Sequence, residues 1–345
     1  MANGKVVLGV VVVALYALGS NVRTGYSQEK AAPGGVQVHM VIADQAIRDD
    51  SEIASLTPNN IQVKQGQNAL KVNQLLPARG DNAALQLFIL IDDTCDSSIG
   101  NNLNDIRDFV NALPATTVVG IAYMSNATIQ IVQNFTADHA LAAKAIRLPR
   151  GSLSSMDSPY LSLISLVKGW PAQKVRREVL MVTDGIDRLR GERPSAAQLP
   201  SNYPSRYRGV PPGGSIGSSA GIATISADAD SASMTSQRYG VIVHSIYATG
   251  VGRVGRNAWE AQVGQSGIAK IADETGGEYF SLGIQNLVSF KPYLDRLQRI
   301  FDNQYYLVFE AALKKKAGLQ RVKISTEEPN VEIAAADNVW VPAVE

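Results

Sequence analysis

Residues 85–91 (LQLFILI) form an almost unbroken apolar run that stops at Asp92. A strand with one wet face alternates apolar and polar side chains, whereas an unbroken run suits a strand covered on both faces, as in a parallel sheet. The same rhythm returns downstream. Residues 118–124 and 241–247 are apolar strands, residues 179–182 (VLMV) run into Thr183-Asp184-Gly185, and residues 279–282 read as a last short strand. Helical spacings lie between them. Leu103, Ile106, Phe109, Val110 and Leu113 come first, then residues 160–167, a stretch closing at 268–275 with Gly276-Gly277 as its stop, and residues 293–301. Residues 127–132 read as an antiparallel or edge strand. Strands alternating with helices predict an α/β fold with a doubly wound, mostly parallel sheet.

This alternation occupies residues 81–302, and β-like runs flank it on both sides. Residues 36–42, 61–63 and 69–72 precede it; residues 305–311, 321–325, 331–335 and 339–341 follow. Chain ends within a domain tend to lie close together. The simplest arrangement is therefore a β-sandwich in which the 303–345 flank pairs with the 36–80 flank, the α/β part being inserted between them. Two independent β elements are the alternative.

Lys5 followed by the apolar run 6–19 predicts a signal peptide or N-terminal anchor over residues 1–27, then a linker at 28–35. That places the protein outside the cytoplasm, secreted or in the periplasm or cell envelope. Cys95 is the sole cysteine of the 345 residues, so no internal disulfide holds the exported chain. With 32 basic and 31 acidic residues, the chain has neither the charge of a nucleic-acid binder nor a polybasic run for a lipid surface. Membrane contact is expected only through an uncleaved leader.

Two acidic turns stand out, Asp92-Asp93-Thr94-Cys95-Asp96-Ser97-Ser98 and Thr183-Asp184-Gly185-Ile186-Asp187. Each follows a parallel strand, and ligands of open α/β sheets sit outside the carboxyl ends of strands. Carboxylates and hydroxyls converging there make an oxygen-rich site of the kind hard divalent cations choose. The same Asp residues could instead cap helices and satisfy loop amides.

An apolar strand running into an Asp-x-Ser-x-Ser-like turn, a later hydroxyl residue, and residues 180–187 (LMVTDGID) together resemble the von Willebrand factor A superfamily, in particular its bacterial, acidobacterial-type members. The resemblance covers roughly residues 84–302 and implies a Rossmann-like domain bearing a metal-ion-dependent adhesion site. Position by position, it implies a metal role for Asp92, for Thr94 and Asp96 at the two serine positions, for Ser158 at the threonine position, with Ser154 and Ser155 as rivals, and for Asp184 as the final, water-mediated acid. The ion implied is Mg²⁺ or Ca²⁺. Asp96 departs from the pattern, because a carboxylate there weakens the pull of the cation on an acidic partner. A second register, Asp93, Cys95 and Ser97, offers a soft thiol to a hard ion.

Other motifs carry less. Residues 250–255 match G-x-G-x-x-G, but no acid follows at the end of a strand at the distance a dinucleotide site needs. Residues 213–217 match G-x-S-x-G within a Pro/Gly/Ser-rich stretch, not at a strand-to-helix turn. Residues 188–222 form a long insertion with Arg190, Arg193, Arg206 and Arg208 among tyrosines, a composition found at interfaces and also in plain disorder. The expected function is an extracytoplasmic, non-enzymatic interaction or adhesion module for a protein or peptide. A structural or scaffolding envelope protein with a vestigial metal site is the alternative.

Overall fold

The computed structural model describes residues 35–44, 56–171, 173–189, 227–251, 258–283 and 285–343. The leader, nearly all of the linker, and most of the 188–222 insertion and of the 250–255 glycine motif lie outside the described residues.

The described chain opens with β1 (Gly35–Asp44), β2 (Ile61–Gln65), β3 (Asn68–Leu70) and β4 (Val72–Pro77). An α/β alternation follows: β5 (Leu85–Asp92), α1 (Gly100–Ala112), β6 (Thr117–Ser125), β7 (Thr128–Thr136), α2 (His139–Lys144), α3 (Pro159–Gly169), β8 (Arg176–Thr183), α4 (Ala227–Tyr239), β9 (Ile242–Tyr247), α5 (Ala258–Thr275), β10 (Tyr279–Phe280) and α6 (Lys291–Asp302). It ends in β11 (Gln304–Ala312), β12 (Gly318–Arg321), β13 (Lys323–Thr326), β14 (Ile333–Ala335) and β15 (Asn338–Val341).

The central sheet has the strand order β10-β9-β8-β5-β6-β7. All neighbours are parallel except β7, which returns antiparallel along the edge of β6. Asn126 and Ala127, both at positive φ, make the two-residue turn between them, as tight hairpins require. β5 explains its own sequence. Leu87, Ile89 and Ile91 face a core layer with Ile106 and Val110 of α1 and Leu297 of α6. Phe88 and Leu90 face the opposite layer, with Leu163 of α3, Ala232 of α4 and Ile268 of α5. Gln86, the one polar residue of the run, accepts a hydrogen bond from the Trp170 indole at 2.7 Å.

The antiparallel sheets draw strands from both ends of the chain. One has the order β14-β1-β11-β4; β2 lies between β13 and β3; β12 pairs with β15. β1 pairs with β11 from Gly35↔Ala312 to Ala43↔Gln304. Val38, Ile42, Val63, Leu307, Phe309 and Val341 meet in one core.

Candidate functional site

The strand order reverses at β5: the chain leaves it toward β6 and later returns to its other side as β8. Ile91 pairs with Val182, so Asp92 and Thr183 leave the sheet side by side at this switch point. Asp92 accepts a hydrogen bond from the Thr94 amide at 2.9 Å and another from the Thr183 hydroxyl at 2.6 Å. The Thr183 hydroxyl in turn accepts from the Gly185 amide at 3.0 Å. Burial, reinforced by the nearby Asp184 charge, pushes the Asp92 carboxyl up to about 6.

Asp184 is wholly buried. One carboxylate oxygen accepts from the Ile186 amide at 2.9 Å, and the other accepts from the Arg188 guanidinium at 2.6 Å. Burial opposes the Arg188 charge, but Asp184 and Asp92 outweigh it and hold its pKa above the ordinary arginine value. Gly185 is required here by conformation and by space. Its φ is +72°, and a Cβ would lie 2.3 Å from the carbonyl oxygen of Gly264 on α5.

The segment after β9 closes the crevice. The Asp96 amide donates to the Thr249 carbonyl at 2.9 Å, and the Val251 amide to the Thr94 carbonyl at 2.9 Å. Gly250 lies directly over the acid–arginine pair: a Cβ there would stand 2.3 Å from an Asp184 carboxylate oxygen and 3.0 Å from the Arg188 guanidinium. Asn286 staples the rim, accepting from the Thr249 amide at 2.7 Å and donating to the Ser98 hydroxyl at 3.1 Å.

The five residues predicted from sequence divide into two groups. Asp92, Thr94 and Asp184 share the crevice. Asp96 turns outward and accepts from the Ser98 amide at 2.8 Å; that bond lowers its pKa. Ser158 caps α3, its hydroxyl accepting from the Leu161 amide at 3.4 Å. The Thr94 hydroxyl is buried with no hydrogen-bond partner. Among the described residues no group of three His, Cys, Asp or Glu side chains could hold a metal ion. The residues as arranged fit a guanidinium and not the divalent cation expected from the sequence. An obligate cation already contacts Asp184, and two of the five expected ligands are engaged in capping turns.

Sequence reasoning missed Arg188 and Asp157, and it weighed Asp93 only as a metal ligand of a second register. Arg188 follows Asp184 by four residues, but outside a helix that spacing signals no pair. Asp93 is clamped by the two terminal guanidinium nitrogens of Arg147, at 2.6 and 2.8 Å. Asp157 accepts from the Asn126 and Ser154 amides, at 2.8 and 2.7 Å, and its carbonyl accepts from the Arg188 amide at 2.8 Å. These bonds fasten the loop before α3 to the crevice. Cys95 is fully buried, and burial together with Asp92 and Asp184 pushes its thiol pKa well up.

No protein-family model and no curated protein matches the chain. Among solved structures it is similar to an aerotolerance-related membrane protein of Bacteroides fragilis, at 12% identity and a TM-score of 0.40 over 64% of this chain and 99% of that one. It is also similar to a von Willebrand factor type A protein of Catenulispora acidiphila, at 10% identity and 0.39 over 91% and 76% of the two chains. The manganese-loaded TRAP protein of Plasmodium vivax is similar at 11% identity and 0.36, over 72% and 92%.

Proposed function

We propose that this chain is an exported interaction module, a von Willebrand factor A-type α/β layer with a flanking β-sandwich, which docks a protein or peptide at the carboxyl edge of its parallel sheet and catalyses no reaction. The observation that carries this reading is an apolar rim beside the crevice. Leu148, Leu153 and Met156 are 53%, 50% and 52% exposed. They lie on the loop that Arg147 and the Gly151 amide tie to Asp93. Large apolar side chains beside an exposed arginine, here Arg150, have the composition of interface centres.

The polar groups behind the rim favour docking over chemistry. The oxygens of Asp92 and Asp184 are engaged by turn amides, Thr183 and Arg188. The Cys95 thiol is held in its neutral form. His244 is fully buried within the sheet and hydrogen-bonded to Glu178 at 2.7 Å. The apolar run at residues 6–19 supports export.

The test is capture of a partner from the native envelope fraction. Replacing Leu148 and Met156 together by Asp is expected to weaken capture by at least about tenfold with little change in Tm, since truncating interface anchors dominates affinity. Equal capture by this double variant and the wild type would remove the docking reading.

A further inference from the structure

We infer that Arg188 is the built-in cation of the acidic crevice: its guanidinium neutralises Asp184 and Asp92 from within, so this edge is set without Mg²⁺ or Ca²⁺. Two carboxylates buried side by side cannot both stay ionised unless a positive charge accompanies them. The fold supplies that charge from the same turn. Arg188 stands four residues beyond Asp184, bonds it at 2.6 Å, and is only 10% exposed. The Asp157 carbonyl fixes the backbone of this turn by accepting from the amides of Arg188 and Leu189. Gly250 then covers the pair at a distance that leaves no space for even one added carbon.

A divalent ion has no access to this arrangement. A guanidinium does not deprotonate in proteins, so an arriving ion would meet a fixed like charge beside the very carboxylate it needs. It would have to displace Arg188 and open the strap between residues 94–96 and 249–251. Asp96, which would be a ligand in the expected pattern, is instead engaged by the Ser98 amide. Resting on the docking reading, one consequence concerns the partner. With no coordination position to offer, the edge would not recognise a partner through a metal-bound acid, and recognition falls to the apolar rim.

The test uses the full chain and needs no partner, so its failure is separable from failure of the docking reading. Wild-type Tm is expected to be the same in EDTA, Mg²⁺, Ca²⁺ and Mn²⁺. Arg188→Gln leaves the Asp92 and Asp184 carboxylates without their guanidinium, on turns that also carry the Thr94 hydroxyl, and such oxygens suit hard ions. It is expected to melt lower in EDTA and to regain roughly 3–5 °C in saturating Mn²⁺, because an ion that binds only the folded state raises its stability. Arg188→Lys, which keeps the charge, is expected to ignore Mn²⁺ as the wild type does. Two results overturn the inference. One is an Arg188→Gln protein as stable as the wild type with no response to Mn²⁺. The other is saturable Mn²⁺ binding to the wild type, read by electron paramagnetic resonance, that Asp184→Asn abolishes. The resonance titration of the wild type decides the matter even where Arg188→Gln fails to fold.

Discussion

Asp92 is pulled in both directions within the crevice. It receives two hydrogen bonds and feels Arg188, all of which favour the ionised form, yet burial and Asp184 together push its pKa upward to about 6. A carboxyl whose pKa is higher folded than unfolded binds its proton more tightly in the native state. Its contribution to stability is therefore full below about pH 4, falls as pH rises through about 6, and is constant above. The loss from this one group is on the order of 3 kcal/mol. Asp92→Asn keeps an acceptor for the Thr94 amide and removes the ionisation. Urea unfolding at pH 4, 5, 6 and 7 should show the variant gaining on the wild type as pH rises to about 6 and no further. Parallel pH profiles would refute this account of the residue. The charge pattern around Asp92 was legible from its place at the end of an apolar strand. Its counter-cation was not, because nothing in a sequence says which arginine folds inward, and most arginines face water.

Among the secondary-structure elements, α3 shows how one residue type serves two readings. A hydroxyl immediately before Pro159 at a helix start is a capping signal as well as a candidate ligand. The structure uses Ser158 as the cap of α3, and its carbonyl accepts from both the amide and the hydroxyl of Ser162, at 3.1 and 2.9 Å. Ser158→Ala is expected to cost about 0.5–1 kcal/mol in denaturant unfolding, the low end for lost caps given the long 3.4 Å bond, and to leave the response to Mn²⁺ unchanged. A metal-dependent change in Tm that appears or disappears with this substitution would return Ser158 to the ligand set. The strands of the central sheet were readable where burial on both faces keeps them apolar, as at residues 85–91 and 179–182, whereas the buried Arg176, Arg177 and Glu178 that open β8 fall outside that pattern. β7 was readable as an edge strand from its mixed pattern. α4 was not, since it packs with small and polar side chains, Ala229, Ala232, Ser233, Ser236 and Gln237, and has no apolar stripe. β12 and β13 read as one strand at 321–325 because nothing in the composition marks the step at Val322, which leaves one pairing for another.

Across the whole molecule, the chain passes between the antiparallel sheets and the α/β layer twice, and the two crossings are bonded to each other. The Ala78 amide donates to the Gln304 carbonyl at 2.9 Å, and Arg79 donates to the Asp302 carbonyl at 2.8 Å. Arg176, at the start of β8 and 4% exposed, spans both: one guanidinium nitrogen donates to the Phe301 carbonyl and the Gln304 side chain, the other to the Ala83 carbonyl, each at 2.7 Å. A second seam joins α4 and α5 to β14 and β15. There the Asn338 amide donates to Gln237 at 2.8 Å, the Asp337 amide to the Glu274 carbonyl at 3.0 Å, and Arg238 stacks 4.3 Å from the Trp340 ring centre. With two seams, the antiparallel sheets cannot loosen without exposing buried carbonyls of the crossings, so the described chain should unfold in one transition. Arg176→Met keeps the apolar stem and takes this donor from two buried acceptors and one half-buried carbonyl, a loss of about 2–4 kcal/mol. Hydrogen exchange of β1, β11, β5 and β8 should accelerate together, as one transition requires. Acceleration confined to β1 and β11 would mean that the antiparallel sheets open on their own, and an unchanged denaturation midpoint would mean that the seam at α4 and α5 alone holds the molecule together.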